Sequence, residues 1–230
     1  MRSKVVYFGH SAFAIVTKDD EHIIIDPFLN DNPLSPIKAE RSRAEYILVT
    51  HGHHDHLGDT IEIAKKNDAL VIAPFEITEY LSMHGVKRLY PMNIGGSAEF
   101  DFGKVKMVYA THSSSIIEGD KTLYAGNPCG YVIELKDLKV YHAGDTGLFL
   151  DMEVIGGQTW IDIALLPIGG TFTMDIHDAV MATKLLHPRV VIPMHYNTWD
   201  VIKADPEEFK KQIESETNAK CVILKPGEGY

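Results

Sequence analysis

The apolar run Tyr46-Ile47-Leu48-Val49 leads straight into Thr50-His51-Gly52-His53-His54-Asp55-His56-Leu57-Gly58-Asp59. Four histidines and one aspartate fall within six residues of that stretch. A strand that delivers so many metal-donor side chains to one loop constrains the rest of the chain. A complete divalent-metal centre needs donors from other segments, so other strand ends must converge on this loop. Without them the segment is only a histidine cluster.

Three later apolar runs supply candidates. Val105 to Ala110 runs into Thr111-His112, Leu138 to His142 into Ala143-Gly144-Asp145, and Val190 to Ile192 into Pro193-Met194-His195. Each has strand length and composition, and each is followed by small or turn-forming residues. Strand ends of one sheet system can gather at one edge although they lie far apart in sequence. His51, His53, Asp55, His56, His112, Asp145 and His195 make seven donors, which suits two divalent ions. His51 and His53 are two apart, so an extended backbone turns both the same way. Asp55 and His56 lie past the turn, free to face a second ion. Gly52 is expected to relieve crowding between the first two ligands. His54 falls off the alternation and reads as a non-ligand.

The remaining pattern predicts strands over 5–8, 12–16 and 22–26. Ile23-Ile24-Ile25 is too continuous for a half-exposed surface and reads as buried on both faces. Residues 28–43 form a loop, a candidate wall or lid. A helix is expected over 59–66 with Ile61 and Ala64 inward, a strand over 70–73 and a helix over 74–84. A hairpin of 130–135 and 138–142 turns around Lys136-Asp137. A strand over 161–166, helices over 176–186 and 206–217, and a strand over 220–224 follow. This order fits two sheets packed face to face with helices outside, as one domain over 1–230.

The net charge of -10 argues against a nucleic-acid partner, because phosphate contacts need clustered Lys and Arg. Cys129 and Cys221 are too few for a disulfide framework and read as small buried hydrophobes, with a ligand or nucleophile role open for Cys129. The start of the chain has no signal-peptide pattern and no apolar run approaches membrane-spanning length. A reduced, cytoplasmic location is expected. The expected partner is a small-molecule substrate, with no nucleic acid and no membrane span, and with assembly into a homo-oligomer left open.

The pattern His51-x-His53-x-Asp55-His56, followed by His112, Asp145 and His195, resembles the metallo-β-lactamase fold superfamily. The Gly9-His10-Ser11 opening, the Ile25-Asp26-Pro27 strand end and the Gly144-Asp145-Thr146 turn are closer still to its branch of metal-dependent hydrolases. That branch is similar to ascorbate-6-phosphate lactonase and N-acylphosphatidylethanolamine phospholipase D. The resemblance implies an α/β (α+β) four-layer αββα sandwich with two metals. His51, His53 and His112 would bind one, Asp55, His56 and His195 the other, and Asp145 would bridge them. Zinc is the default, and Mn2+, Fe2+ or Ni2+ also suit such donors. Asp145 stands where the zinc β-lactamases carry a cysteine, so antibiotic hydrolysis is not expected.

The implied activity is hydrolysis of a small-molecule ester, lactone or phosphodiester by a hydroxide bridged between the metals. Asp55 and Asp145 are the expected catalytic carboxylates, with Asp55 a candidate proton acceptor. Asp26 is expected to support the motif loop by hydrogen bonding. His10 either lines the pocket and orients a ligand or is a plain strand-turn histidine. Ser113 is either a substrate donor or a turn former. Thr171 and His177 lie in a glycine-led loop before a helix and are candidates for substrate binding, although helix capping by Asp175 accounts for part of that stretch. The competing readings are a nuclease or other phosphodiesterase of the same fold, and a metal-binding protein without turnover. A di-iron oxygen reductase fits less well, because those enzymes carry a glutamate where His53 sits and need a flavin domain.

Overall fold

The computed structural model describes residues 2–230. The first half of the chain builds a six-stranded sheet. Strands β1 (Lys4–Tyr7), β2 (Phe13–Val16) and β3 (His22–Ile25) form an antiparallel meander. Strand β4 (Tyr46–Leu48) comes next, and the histidine motif forms one helical turn, α1 (His54–Leu57). Helix α2 (Thr60–Asn67), strand β5 (Leu70–Pro74), helix α3 (Phe75–Met83) and strand β6 (Leu89–Met92) complete it, with β3 to β6 parallel.

The second half builds a seven-stranded sheet. It begins with β7 (Ser97–Phe100) and β8 (Gly103–Tyr109). A separate hairpin, β9 (Ser115–Glu118) and β10 (Lys121–Tyr124), comes next. The sheet resumes with β11 (Cys129–Leu135) and β12 (Lys139–His142), the expected hairpin. Helix α4 (Met152–Gln158), strand β13 (Ile163–Pro167), helix α5 (Ile176–Leu186), strand β14 (Val190–Met194), helix α6 (Pro206–Glu216) and strand β15 (Lys220–Cys221) finish the chain. The order is β15-β14-β13-β12-β11-β8-β7, with β12 to β15 parallel.

The period of two along the strands builds the layers. Ile23 and Ile25 face a core shared by both sheets, where they meet Tyr131, Ile133 and Leu165. Ile24, Ile47 and Val71 face the opposite way, under Ile63, Ile77 and Leu81 of α2 and α3. Phe209 and Ile213 of α6 and Ala179 and Ala182 of α5 cover the second sheet. The result is the four-layer αββα sandwich. The inward residues of α2 are Ile63 and Ala64, while Ile61 is only partly buried. The helix is rotated from the expected one because Thr60 is also drawn inward, donating to the Leu57 carbonyl.

Strand direction decides what meets. Strands β3 and β4 are parallel, so Asp26 and the His51 loop leave the first sheet at one edge. Strand β11 is antiparallel to both β8 and β12, so β8, β12 and β14 share a direction and end at one edge of the second sheet. The two edges are joined where His195 N donates to His10 O at 2.8 Å and Tyr131 Oη donates to Val49 O at 2.7 Å. Strand β14 runs on through Pro193, past its expected end at Ile192. Proline is tolerated there because β15 pairs only with Val190 and Val191, which leaves Pro193 on a local edge.

Candidate metal centre and active site

All seven predicted donors reach one site. The atoms of His51, His53 and His112 lie within 4.8 Å of one another. His53 Nδ1 is 3.0 Å from His51 Nε2 and 3.3 Å from His112 Nε2. A second group of the same compactness joins His10, Asp55, His56 and His195, and a third joins His51, His56 and Asp145. Asp145 faces both sides. Its Oδ1 is 3.3 Å from His56 Nε2, and its Oδ2 is 2.9 Å from His195 Nε2 and 3.7 Å from His112 Nε2. His54 points away, 73% exposed, toward Asp31 Oδ2 at 3.1 Å. Gly52 has a different role from the expected one. A Cβ there would lie 2.5 Å from Ala125 Cβ, so the residue must be glycine for the β9–β10 hairpin to close on the motif.

Hydrogen bonds indicate which nitrogen of the His51, His56 and His10 rings carries the proton. The Asp26 carboxylate accepts from Thr50 N at 2.8 Å and from Thr50 Oγ1 at 2.7 Å. It also accepts from His56 Nδ1 at 2.7 Å. The Thr50 hydroxyl has one proton and gives it to Asp26, so it accepts from His51 Nδ1 at 2.9 Å. Both rings are thereby protonated on Nδ1 and present Nε2 to the site. His10 is arranged the other way. Its Nε2 donates to Asp55 Oδ2 at 2.9 Å, and its Nδ1 accepts from Thr198 Oγ1 at 2.8 Å. Asp26, His10 and His195 all have positive φ, at 48°, 58° and 54°. Such left-handed conformations cost energy in non-glycine residues and persist where surrounding contacts hold them.

The electrostatics suit cations. Burial and neighbouring His56 hold His51 well below its ordinary pKa, and burial likewise lowers His53 and His112. All three are neutral donors. Burial works to raise Asp55 and Asp145, but the surrounding histidines outweigh it and keep both carboxyls far below the usual range. Burial disfavours charge on His56, yet Asp145, Asp55 and Asp26 raise it well above 6.5. The buried carboxylates therefore demand positive charge at the centre. His56 Nε2, Asp145 Oδ1 and His195 Nε2 are buried and lack hydrogen-bond partners. Buried polar atoms rarely stay unpaired, and here they converge where a cation would satisfy them, so the donor set fits a metal.

These shifts predict how the chelator-treated protein responds to pH. His195 is raised from 6.5 to about 9, so its contribution is complete below pH 6.5 and lost as pH rises through 9. Burial lowers His10 from 6.5 to about 4, so its contribution is present above 6.5 and lost as pH falls through 4. Thermal unfolding is expected to show a maximum near pH 6.5. A midpoint that climbs steadily from pH 5 to 9 would contradict this.

The site opens into a cleft of about 320 Å³. His53, Asp55, His112, Asp145 and His195 form its floor, and Ser113, Phe172 and Trp199 line its sides. Ser113 Oγ is 3.5 Å from His53 Nε2. The other two predicted substrate residues lie elsewhere: Thr171 and His177 line a separate depression with Lys203 and Glu208. Thr171 Oγ1 donates to Val201 O at 3.0 Å, and His177 sits exposed on the first turn of α5. Asp175 caps that helix by accepting from Asp178 N, as its position before the helix suggests. The histidine pattern carried no signal for Thr50, Thr198 or Phe172, whose residue types have no special link to metal chemistry. The 28–43 loop is pinned beside the site, and the residues that line the cleft come from other segments. Asp59 Oδ2 accepts from Leu29 N and Asn30 N, each at 2.8 Å, and the buried Phe28 ring borders His10 and Trp199. No helix among the described residues is long and apolar enough to cross a membrane.

The chain is similar to known proteins along most of its length. The β-lactamase superfamily domain family matches residues 4–195. The chain is 49% identical over 226 residues to a UPF0173 metal-dependent hydrolase of Pelotomaculum thermopropionicum, with 98% of each chain covered. It is 52% identical over 212 residues to one from Anoxybacillus flavithermus, covering 92% of this chain and 93% of the relative. Among solved structures, Igni18, a metallo hydrolase from Ignicoccus hospitalis, superposes with a TM-score of 0.89 at 43% identity, covering 99% of this chain and 97% of that one. A relationship that spans the whole sandwich and both sheet edges is one of family, and the chain belongs to the metallo-β-lactamase superfamily, among its metal-dependent hydrolases.

Proposed function

We propose that this protein is a dinuclear metal-dependent hydrolase, acting as one catalytic domain on a small-molecule ester, lactone or phosphodiester. One divalent ion, with zinc the first choice, would be held by His51, His53 and His112. A second would be held by Asp55, His56 and His195, with Asp145 between them. The observation that carries the reading is the buried Asp145 carboxylate, placed between two compact donor groups at the floor of one cleft. Such ions lower the pKa of bound water and polarise the bond under attack.

The chain's own residues orient and exclude. Asp26 and Thr50 hold His51 and His56 in the donor tautomer, and His10 holds Asp55 through its carboxylate. The histidines around Asp55 keep its carboxyl far below the carboxylate range. An ionised Asp55 suits metal ligation and leaves its carboxylate as the candidate proton acceptor at the centre. Phe172 and Trp199 would shield the reacting bond from bulk water.

Metal analysis of the purified protein is expected to give about two divalent ions per chain, the number two facing donor groups support. Chelation is expected to abolish turnover in a panel of lactones, esters and phosphodiesters. In the same panel His112→Ala should lose activity while its circular dichroism stays native. A preparation that never binds more than one ion, or a His112→Ala variant with full turnover, would sink the dinuclear reading.

A further inference from the structure

The walls of the cleft select a class of substrate. Apart from the donor residues at its floor, it is lined by one serine and two aromatic rings, and by no lysine or arginine. Phe172 is 53% exposed and Trp199 is 39% exposed. An enzyme whose substrate carries a phosphate or free carboxylate group away from the reacting bond commonly holds that anion with guanidinium or ammonium groups, and none lines this cleft. Large apolar rings left half in water beside a reaction site are instead surfaces that a ligand covers.

Both walls are anchored to the site. Trp199 follows Thr198, which is bonded to His10, and its ring meets the His10 ring edge-on at a centroid distance of 4.8 Å. Phe172 lies in the turn between Gly170 and Met174, closed by Gly170 N donating to Met174 O at 3.0 Å. Met174 N donates to Thr146 O at 2.9 Å, one residue past Asp145. A group lying against these rings is therefore held at a set distance from the donor cluster.

We infer that the cleft takes neutral carboxylic esters or lactones carrying an aryl or similarly flat apolar group, which lies against Phe172 and Trp199 while the ester carbonyl faces the donor cluster. This rests on the hydrolase reading above and narrows it to substrates with no anionic group away from the reacting bond.

Benzyl acetate and ethyl acetate test it, because their leaving alcohols differ little in reactivity and greatly in flat apolar area. The metal-loaded enzyme is expected to prefer benzyl acetate by about tenfold or more in kcat/KM, in the range one to a few buried apolar groups supply. Phe172→Ala should cut the preference to within about threefold. A carboxylate added at the para position of the ring should lower kcat/KM by about tenfold, since no cation receives it.

A second arm does not depend on turnover. The chain has two tryptophans, and Trp160 lines a different depression. In a Trp160→Phe background, N-benzylacetamide should change Trp199 fluorescence saturably, with the midpoint moved about tenfold higher by Phe172→Ala. No hydrolysis of either acetate together with this binding would overturn the carboxylic-ester inference and leave the aromatic site standing, while loss of turnover across the whole panel would overturn the hydrolase reading. No saturable change, a midpoint that Phe172→Ala leaves in place, or equal kcat/KM for the two acetates would overturn the aromatic site itself.

Discussion

Replacing Asp145 with alanine is expected to lower hydrolysis by more than about 100-fold, and to reduce bound divalent metal from about two ions per chain to at most one. Removing a residue that merely orients a metal ligand costs up to about 100-fold, and Asp145 is placed to do more. It is 2% exposed in the loop just past β12, and its two oxygens are directed at different partners. Oδ1 meets His56 Nε2, and Oδ2 meets His195 and His112. Alanine leaves the two donor groups with no shared anion, so their imidazoles face one another with less negative charge to hold cations between them. Metal content after dialysis and kcat on whichever substrate the panel identifies would check this. A variant that still holds two ions with undiminished affinity would remove Asp145 from the bridging role.

Asp26→Asn should produce the second large effect by a different route. Asparagine tolerates the left-handed backbone at this position, where φ is 48°. The change therefore isolates chemistry from backbone strain. Asp26 accepts three hydrogen bonds, from Thr50 N, Thr50 Oγ1 and His56 Nδ1. An amide can still accept from Thr50 N, but its NH2 then faces two donors. One escape is for His56 to accept on Nδ1 and carry its proton on Nε2, where metal would have to bind. The other leaves buried donors unpaired, at roughly 1–3 kcal/mol each. A loss of about 10- to 100-fold in metal affinity is expected, with a lower unfolding midpoint. Calorimetric metal titration would measure it, and wild-type affinity would show that the Asp26–Thr50 pair does not set the His51 and His56 tautomers.

Much of the fold was legible where periodicity was strong. Ile23-Ile24-Ile25 reads as a strand buried on both faces, and it is one, because Ile24 faces the α2–α3 layer and its neighbours face the core between the sheets. Helix α5 has the predicted bounds, Ile176–Leu186. The elements that escaped have weak patterns for identifiable reasons. Strand β6 carries Pro91, tolerable only because β6 is an edge of its sheet. The β9–β10 hairpin exposes Ile117 and Tyr124, so it shows no buried alternation. Helix α4 contains Gly156 and Gly157, which propensity argues against. At Gly156 a Cβ would lie 2.5 Å from the Leu186 carbonyl, so close helix packing, a tertiary matter, explains that glycine.

The donors themselves were legible because metal chemistry draws on few residue types, and those types stood at strand ends in a recognisable order. Residue types and their alternation define an inventory: which side chains can bind a cation, and which face of each strand is apolar. The tertiary structure decided how that inventory is used. It brought His10 against His195 and Asp55, put Thr50 between Asp26 and His51, and set Phe172 and Trp199 beside the cleft while Thr171 and His177 fell into another depression. The physical reason is one of range. Side-chain alternation is local to a few residues, whereas a tautomer and a cleft wall depend on groups brought together from distant parts of the chain by the parallel and antiparallel order of two sheets.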